Sequence, residues 1–373
     1  MKRIVLVGGG SGGHFYPLIA VAEKLQEYNA KGVTLELFYM GPHPYNMKEL
    51  QASAITFVSC PSGKHRKYFS LLNYLDIFVV FYGFFVALYK LYVLYPDVIF
   101  SKGSYTSVPV TLAAFVLRIP VVIHESDTKP GSANKLASKF ARYIAISFGE
   151  VAQYFPEGKT AQTGIPLRSA FMQSVVNPRV QLGITSEKPL IFITGGSLGS
   201  VRINTLILES LDELLPHFAI LHQTGALQEH TVTQTAATLI DNSELLSRYF
   251  IKGDLSGNEM SLALQAATIV ISRAGTGSIF EIAHFGKPAL LIPIPEAISH
   301  DQKTNAYAYA KTGAATVLEE SNLYDGLLVS EINRIISNES VYQEMSRAAT
   351  SFSVLDARTR ISETLLGIAQ EHR

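Results

Sequence analysis

Lys2-Arg3-Ile4-Val5-Leu6-Val7 runs straight into Gly8-Gly9-Gly10-Ser11-Gly12-Gly13-His14. The stretch reads as a strand, a glycine loop and then an amphipathic helix from about Pro17 to Glu27. Five glycines in six positions mean that the backbone approaches a neighbour closely and adopts angles closed to other residues. Strand, loop and helix start together form an anion site, because free N–H groups and the helix dipole point at the loop. A second copy follows: Pro189-Leu190-Ile191-Phe192-Ile193-Thr194 enters Gly195-Gly196-Ser197-Leu198-Gly199-Ser200 and another helical pattern. The chain therefore carries two nucleotide-fold openings, and the first ends in a histidine.

Neither opening is a standard dinucleotide fingerprint. Gly8 to Gly13 fits G-x-G-x-x-G by letter, but that pattern also needs an acidic residue about 20 positions on, at the tip of the second strand. Here Thr34-Leu35-Glu36-Leu37-Phe38-Tyr39-Met40 ends in Gly41-Pro42. No G-K-S/T follows either loop, which excludes a Walker-type site.

Outward from these loops, apolar strand-like runs alternate with helical stretches. In the first half they are Ile4–Val7, Leu35–Met40, Ile55–Ser59, Val98–Ser101, Val121–His124 and Tyr143–Ile146. In the second they are Leu190–Thr194, Ala219–Gln223, Tyr249–Ile251, Ile269–Ser272, Ala289–Ile292 and Ala315–Leu318. Such alternation builds parallel sheets with crossover helices. A length of 373 residues suits two domains. The stretch from Arg168 to Lys188 places the boundary, giving domains 1–168 and 169–350. A closing helix over about 351–373 is expected to pack back on the first domain.

The chain has one cysteine, Cys60, so a disulfide framework is excluded and a reducing compartment expected. Met1-Lys2-Arg3 begins a strand, so no cleavable signal peptide is expected. Net charge is zero, yet residues 1–168 hold 17 of the 31 Lys and Arg and 10 of the 31 Asp and Glu. A basic first half calls for an anionic partner. Nucleic acid is not expected, because no basic–aromatic interleaving or DNA-reading motif accompanies the charge.

Ser62 to Tyr95 opens with Lys64-His65-Arg66-Lys67 and becomes a long aromatic and apolar run. The uncharged part, between Asp76 and Lys90, falls short of the roughly 20 residues that span a bilayer. Two readings remain: a fully buried core helix, or a helix lying in a membrane interface with its basic cluster on anionic lipid.

Four constellations carry chemistry. His14 sits at a helix start, where the dipole disfavours imidazolium, so it serves either as a general base or as a loop cap. Val121 to Asp127 leaves a strand and deposits His124, Glu125, Ser126 and Asp127 at its carboxyl edge, where open sheets bind ligands. Arg273-Ala274-Gly275-Thr276-Gly277-Ser278-Ile279-Phe280-Glu281 enters a helix. Glu281 there suits a pair of ribose hydroxyls, or else closes a capping box with Ser278. Pro293-Ile294-Pro295 and then His300 to Ala306 make a rigid turn and a polar helix start able to bond a sugar.

These residues resemble one family in order along essentially the whole chain. Gly9-Gly10-Ser11-Gly12-Gly13-His14 with Pro17 resembles the G-G-T/S-G-G-H…P opening of the MurG-type peptidoglycan N-acetylglucosaminyltransferases, glycosyltransferase family 28. Lys102 to Pro109 resembles K-G-G-Y-x-S-x-P. His124-Glu125-Ser126-Asp127 resembles H-E-Q-N, and Gly164 to Arg168 resembles G-N-P-V-R. Gly195 to Gly199 resembles G-G-S-Q-G, Arg273 to Glu281 resembles R-S/A-G-x-x-S/T-x-x-E, and Asp301 to Ala306 resembles D-H-Q-x-x-N-A. The chain departs at Ser104 (Gly in the motif), Ser126 (Gln), Asp127 (Asn), Ile165 (Asn) and Leu198 (Gln).

The resemblance implies an α/β GT-B fold, two Rossmann-like domains with a cleft between them. It implies an inverting transfer of N-acetylglucosamine from UDP-N-acetylglucosamine to lipid I, the undecaprenyl-diphospho-muramoyl-pentapeptide, giving lipid II. His14 or Glu125 would be the catalytic base. The donor-binding set would be Ser11, Gly12, Gly13, Asp127, Arg168, Ser197, Ile251, Thr276, Gly277, Ser278, Ile279, Phe280, Glu281 and Gln302. No cofactor and no metal are expected. The partners would be the UDP-sugar, the polyprenyl-diphosphate lipid and, through about 64–95, the inner leaflet, which places the chain peripherally on the cytoplasmic face of the plasma membrane. Three other readings stand beside this: a family 28 enzyme with another lipid acceptor, a nucleotide-sugar epimerase of similar shape, and a catalytically silent binding subunit.

Overall fold

Buried parallel strands need apolar side chains on both faces, and the Val-, Ile- and Leu-rich runs supply them. In this computed structural model, which describes residues 1–63, 72–296, 300–353 and 356–371, the chain divides into two units. The first is Met1–Ser169 with Leu355–Arg373, and the second is Ala170–Val354.

In the first unit, β1 (Lys2–Val7), β2 (Leu35–Gly41), β3 (Ile55–Ser59), β4 (Val98–Ser101), β5 (Val121–Glu125), β6 (Tyr143–Ile146) and β7 (Thr160–Gln162) form one sheet. Its order is β3-β2-β1-β4-β5-β6-β7, parallel throughout. In the second, β8 (Leu190–Thr194), β9 (Ala219–Gln223), β10 (Tyr249–Lys252), β11 (Ile269–Ser272), β12 (Ala289–Leu291) and β13 (Ala315–Val317) form a parallel sheet in the order β10-β9-β8-β11-β12-β13. Both orders reverse at the first strand, between β1 and β4 and between β8 and β11. Ligands of such sheets bind outside the carboxyl ends at that reversal.

Strand alternation gives the first sheet a core on each face. Ile4 and Leu6 pack with Phe15, Leu18 and Leu25 of the helix Gly12–Ala30 and with Ile361 and Leu365 of the helix Ala357–Glu371. Val5 and Val7 face the other way, onto Ala87, Leu91, Val110 and Ala113. The closing helix is held to the first unit by Arg358, whose Nε donates to the Ala20 carbonyl at 3.1 Å and whose guanidinium pairs with Glu27. It begins at Ala357, later than about 351, because Phe352 still belongs to the preceding helix Glu339–Phe352.

Two further boundaries differ from the sequence reading. The helix expected from Pro17 starts at Gly12 and carries Pro17 inside. The ring removes only the N–H that would bond the Gly13 carbonyl. Strand β7 was not legible, being three residues long, polar, mostly exposed and paired only with β6.

The helix Leu72–Leu94 is not a fully buried core helix. Ala87 and Leu91 are buried, whereas Phe78, Phe81, Tyr82, Phe85, Tyr89, Tyr92 and Val93 are exposed. Those positions recur every three or four residues and so share one face. Gly83 lets the helix close on the chain before it, since a Cβ there would lie 2.0 Å from the Pro61 carbonyl oxygen. The cluster Lys64 to Lys67 lies outside the described residues. Among the described residues no helix is long and apolar enough to cross a membrane.

Candidate functional site

The first site forms where β1, β4 and β5 end. The glycine loop threads between bulky neighbours. A Cβ at Gly9 would sit 2.6 Å from the Tyr39 hydroxyl, one at Gly12 3.1 Å from Tyr16, and one at Gly10, where φ is +84°, 3.1 Å from Tyr105. The Tyr39 hydroxyl donates to the Gly8 carbonyl at 2.6 Å and pins the loop. Ser11 then precedes the helix without capping it through its side chain, and its Oγ lies 2.8 Å from Nδ1 of His14. In the tautomer that donates Nδ1–H to Ser11, Nε2 carries the lone pair. His14 is half-buried, and burial together with the Lys102 ammonium lowers its pKa from 6.5 to about 4, against a smaller upward pull from Asp127. It is therefore a neutral imidazole at pH 7.

Lys102 joins the three loops. Its backbone N–H donates to the Val7 carbonyl at 2.8 Å, and its Nζ donates to Ser126 Oγ at 2.8 Å. Gly8 makes room for it, since a Cβ there would lie 2.8 Å from the Cβ of Lys102. Burial brings the Lys102 pKa down to about 8, with Glu125 and Asp127 opposing.

Glu125 is buried and accepts three hydrogen bonds. Its Oε2 accepts from the Gly131 N–H and from Asn134 Nδ2, both at 2.9 Å, and its Oε1 accepts from the Asp127 N–H at 3.2 Å. Burial raises its pKa, and Asp127 adds to the rise. Through these three hydrogen bonds the carboxylate shapes the turn 127–131. His124 is likewise structural: Nε2 donates to the Gly164 carbonyl at 2.8 Å, inside the protein.

Arg168 stacks its guanidinium on Tyr16, 4.3 Å from the ring centroid. Ser104 sits at φ +72°, ψ 162°. That region is open essentially to glycine alone, and a side chain there is strained.

The second site forms where β8, β11 and β12 end. A Cβ at Gly199, at φ +72°, would lie 1.9 Å from the Thr224 carbonyl oxygen, so only glycine fits. Arg273 is a brace. It donates to Ser200 Oγ at 2.7 Å and to the Ile292 carbonyl at 3.1 Å, and pairs with Glu320 at 2.7 Å. The helix Thr276–His284 follows, with Gly275 at its N-cap. Ile279 is the first whose N–H bonds back, to the Gly275 carbonyl at 3.0 Å. The N–H groups of Thr276, Gly277 and Ser278 precede that bond and have no acceptor within the helix. Asn305 Nδ2 donates to Thr276 Oγ1 at 3.2 Å, and Gln302 Oε1 accepts from the Ile294 N–H at 3.2 Å.

The Glycosyltransferase family 28 N-terminal domain matches residues 4–146, and the Glycosyltransferase family 28 C-terminal domain matches residues 190–361. A Bacillus cereus protein is 37% identical over 349 residues, covering 92% of this chain and 94% of that one. The chain belongs to glycosyltransferase family 28. That relative is named UDP-N-acetylglucosamine--N-acetylmuramyl-(pentapeptide) pyrophosphoryl-undecaprenol N-acetylglucosamine transferase 2. A Treponema denticola protein with the same name, without the numeral, is 36% identical over 332 residues, covering 85% of this chain and 84% of that one. Among solved structures, Acinetobacter baumannii MurG superposes with a TM-score of 0.74 at 24% identity, covering 98% of this chain and 100% of that one. The UDP-GlcNAc 2-epimerase of Neisseria meningitidis, bound to UDP-GlcNAc, superposes with a TM-score of 0.68 at 17% identity, covering 98% and 100%. Both share the GT-B fold of two Rossmann-like units.

The family 28 motifs fall on two edges. Ser11, Gly12, Gly13, His14, Glu125, Asp127 and Arg168 belong to the first unit, and Ser197, Ile251, Thr276 to Glu281 and Gln302 to the second. The capping box between Ser278 and Glu281 is not formed: Ser278 lies within the first turn, and Glu281 lies one turn further in. Ile279 and Phe280 turn their side chains into the core, so neither offers a ligand its side chain. Ile251 is half-buried on β10, against the core of the second unit. Ser197 is exposed beside Leu198, which is 89% exposed where the family motif has Gln. The sequence reading named neither the tyrosines around the glycine loop nor Lys102 as site residues. Only Tyr105 and Lys102 carried a signal, as members of the Lys102–Pro109 motif.

Proposed function

We propose that this chain transfers N-acetylglucosamine from UDP-N-acetylglucosamine to the muramoyl sugar of a polyprenyl-diphosphate-linked peptide precursor, lipid I, producing lipid II. The observation that carries the proposal is the likeness, at 37% identity over 92% of the chain, to a relative named for that reaction. The chemistry of the two sites agrees. His14 Nε2 takes the proton of the acceptor hydroxyl, whose oxygen forms the new bond to C1 of the donor sugar. The bond from C1 to the diphosphate breaks on the opposite side, and UDP leaves with its electron pair. The N–H groups at the start of the helix Thr276–His284, on the favourable end of its dipole, receive the diphosphate charge. Glu281 accepts from the ribose hydroxyls, and Gln302 bonds the sugar. His14 is assigned the role of base, and Glu125, which holds the turn after β5 through three accepted hydrogen bonds, a positioning role.

The exposed aromatic face of the helix Leu72–Leu94 lies in the interface of the inner leaflet and delivers the lipid acceptor. A stripe carrying Phe81, which is 63% exposed, and Tyr89, which is 70% exposed, is unusual on a surface that meets only water. The test is direct. Purified protein is incubated with radiolabelled UDP-N-acetylglucosamine and vesicles carrying lipid I. Label in a lipid-linked disaccharide supports the reading. Label found only in free or epimerised nucleotide sugar refutes it.

A further inference from the structure

Ser104 holds a glycine conformation with a side chain attached. After β4 the chain turns through Gly103 at φ +81° and Ser104 at φ +72°, ψ 162°. The turn is clamped on both sides. The Gly103 N–H donates to Ser101 Oγ at 3.2 Å, and a Cβ at Gly103 would lie 2.8 Å from Asn134 Oδ1. Beyond it, the Ser104 carbonyl accepts from the N–H and from Oγ of Ser107. The surroundings therefore fix the backbone at 104, and the glycine of the family motif would adopt it without strain. What serine adds is a hydroxyl. Among the described residues that hydroxyl has no hydrogen-bond partner. It lies 3.6 Å from the point where a Cβ of Gly10 would stand, and the Tyr105 hydroxyl lies 3.5 Å from the same point. Gly10 is exposed.

The groups beside Gly10 are hydrogen-bond donors. The helix Gly12–Ala30 starts two residues on, without a side-chain cap from Ser11. The first N–H to bond back is that of His14, to the Ser11 carbonyl at 3.2 Å. The N–H groups of Gly12 and Gly13 precede it and have no acceptor within the helix, at the positive end of the dipole. Thr106 is 2% exposed, and its Oγ1 has no partner and lies 3.7 Å from where a Cβ of Gly9 would stand. Free hydroxyls and N–H groups gathered on one loop suit a phosphate or diphosphate, which accepts several hydrogen bonds at once.

We propose that Ser104 is a substrate-binding residue that the family motif lacks: its strained backbone carries the hydroxyl beside Gly10, where it donates to the diphosphate of the polyprenyl acceptor. This rests on the proposed transfer to lipid I. Strain at a site of this kind is stored in the free protein and matched by a contact made when substrate binds.

Two variants separate hydroxyl from strain. Ser104→Ala keeps the strained backbone and loses the hydroxyl, whereas Ser104→Gly loses both. Calorimetric titration of full-length protein with farnesyl diphosphate reads the anion contact, with farnesol as the uncharged control. Both variants should bind farnesyl diphosphate about tenfold more weakly than wild type, as loss of one hydrogen bond to a charged group does. Both should raise the KM for lipid I by a similar factor and leave the KM for UDP-N-acetylglucosamine unchanged. Wild-type affinity in Ser104→Ala overturns the proposal. So does wild-type affinity in Ser104→Gly with a loss in Ser104→Ala, because the backbone and not the hydroxyl would then govern binding. Wild-type protein that binds farnesyl diphosphate no better than farnesol overturns the diphosphate assignment. Wild-type protein that binds farnesyl diphosphate but transfers nothing to lipid I refutes the proposed function, while the affinities of the two variants still decide the role of Ser104.

Discussion

Replacing Ser104 with glycine should make the protein more stable, although it removes a side chain. Ser104 holds φ +72° and ψ 162°, a conformation that costs a non-glycine residue about 1–3 kcal/mol. Glycine releases that strain but adds freedom to the unfolded chain, a loss of about 0.5–1 kcal/mol. The hydrogen bonds at this turn use the Ser104 carbonyl, which accepts from the Ser107 N–H at 3.1 Å and from Ser107 Oγ at 2.8 Å, and glycine keeps both. The net gain is roughly 1 kcal/mol, which for a unit of this size raises Tm by about 2–4 °C. Differential scanning calorimetry on wild type and Ser104→Gly measures it. An unchanged or lowered Tm would refute the reasoning, because the strain would then be absent or the side chain would be making a compensating contact.

Other outcomes follow from the same geometry. Gly199→Ala should destabilise the second unit by at least about 2 kcal/mol, because the new methyl meets the Thr224 carbonyl at 1.9 Å and φ is positive; urea unfolding reads this. Glu125→Ala should lower stability by about 1–3 kcal/mol, since it removes the acceptor of three donors, of which the Asn134 amide is buried, and should raise the KM for the lipid acceptor; an unchanged Tm with abolished kcat would make Glu125 the base instead. Glu281→Ala should weaken UDP binding by about 1.5–3 kcal/mol in calorimetry, and unchanged affinity would remove its ribose role. Phe81→Ser with Phe85→Ser should abolish association with anionic vesicles while circular dichroism stays native. Phe84 packs against the core and is the wrong target for that test.

The sheets were legible because parallel strands are buried on both faces. Leu190–Thr194 and Val98–Ser101 are continuous apolar runs that no helix period explains. The short edge strand Thr160–Gln162 has no such run, and its pairing comes only from β6. At the site, the glycines and His14 were legible because a glycine loop after a buried strand has few uses. The role of Glu125 was not, since Gly131 and Asn134 reach its carboxylate only once the turn after β5 is formed. Lys102 was hidden for the same reason: what makes it important is its approach to Gly8 and Ser126, which follow β1 and β5, neighbours of β4 in the sheet that are distant in sequence. The helix Leu72–Leu94 could be read as apolar, but which face stayed exposed depended on Gly83 seating it against Pro61.

The central claim is that the glycine loop presents a neutral His14 as the base of a lipid glycosyltransferase, and the pH–rate profile of transfer to lipid I tests it most directly. With the His14 pKa lowered to about 4, the imidazole stays unprotonated and competent as pH falls, and kcat/KM should begin to fall only as pH approaches that value rather than near 6.5. His14→Ala should lower kcat by about 10²–10⁴-fold and abolish that acidic limb, with UDP affinity retained. Near-normal turnover in His14→Ala, with the limb still in place, would contradict the account.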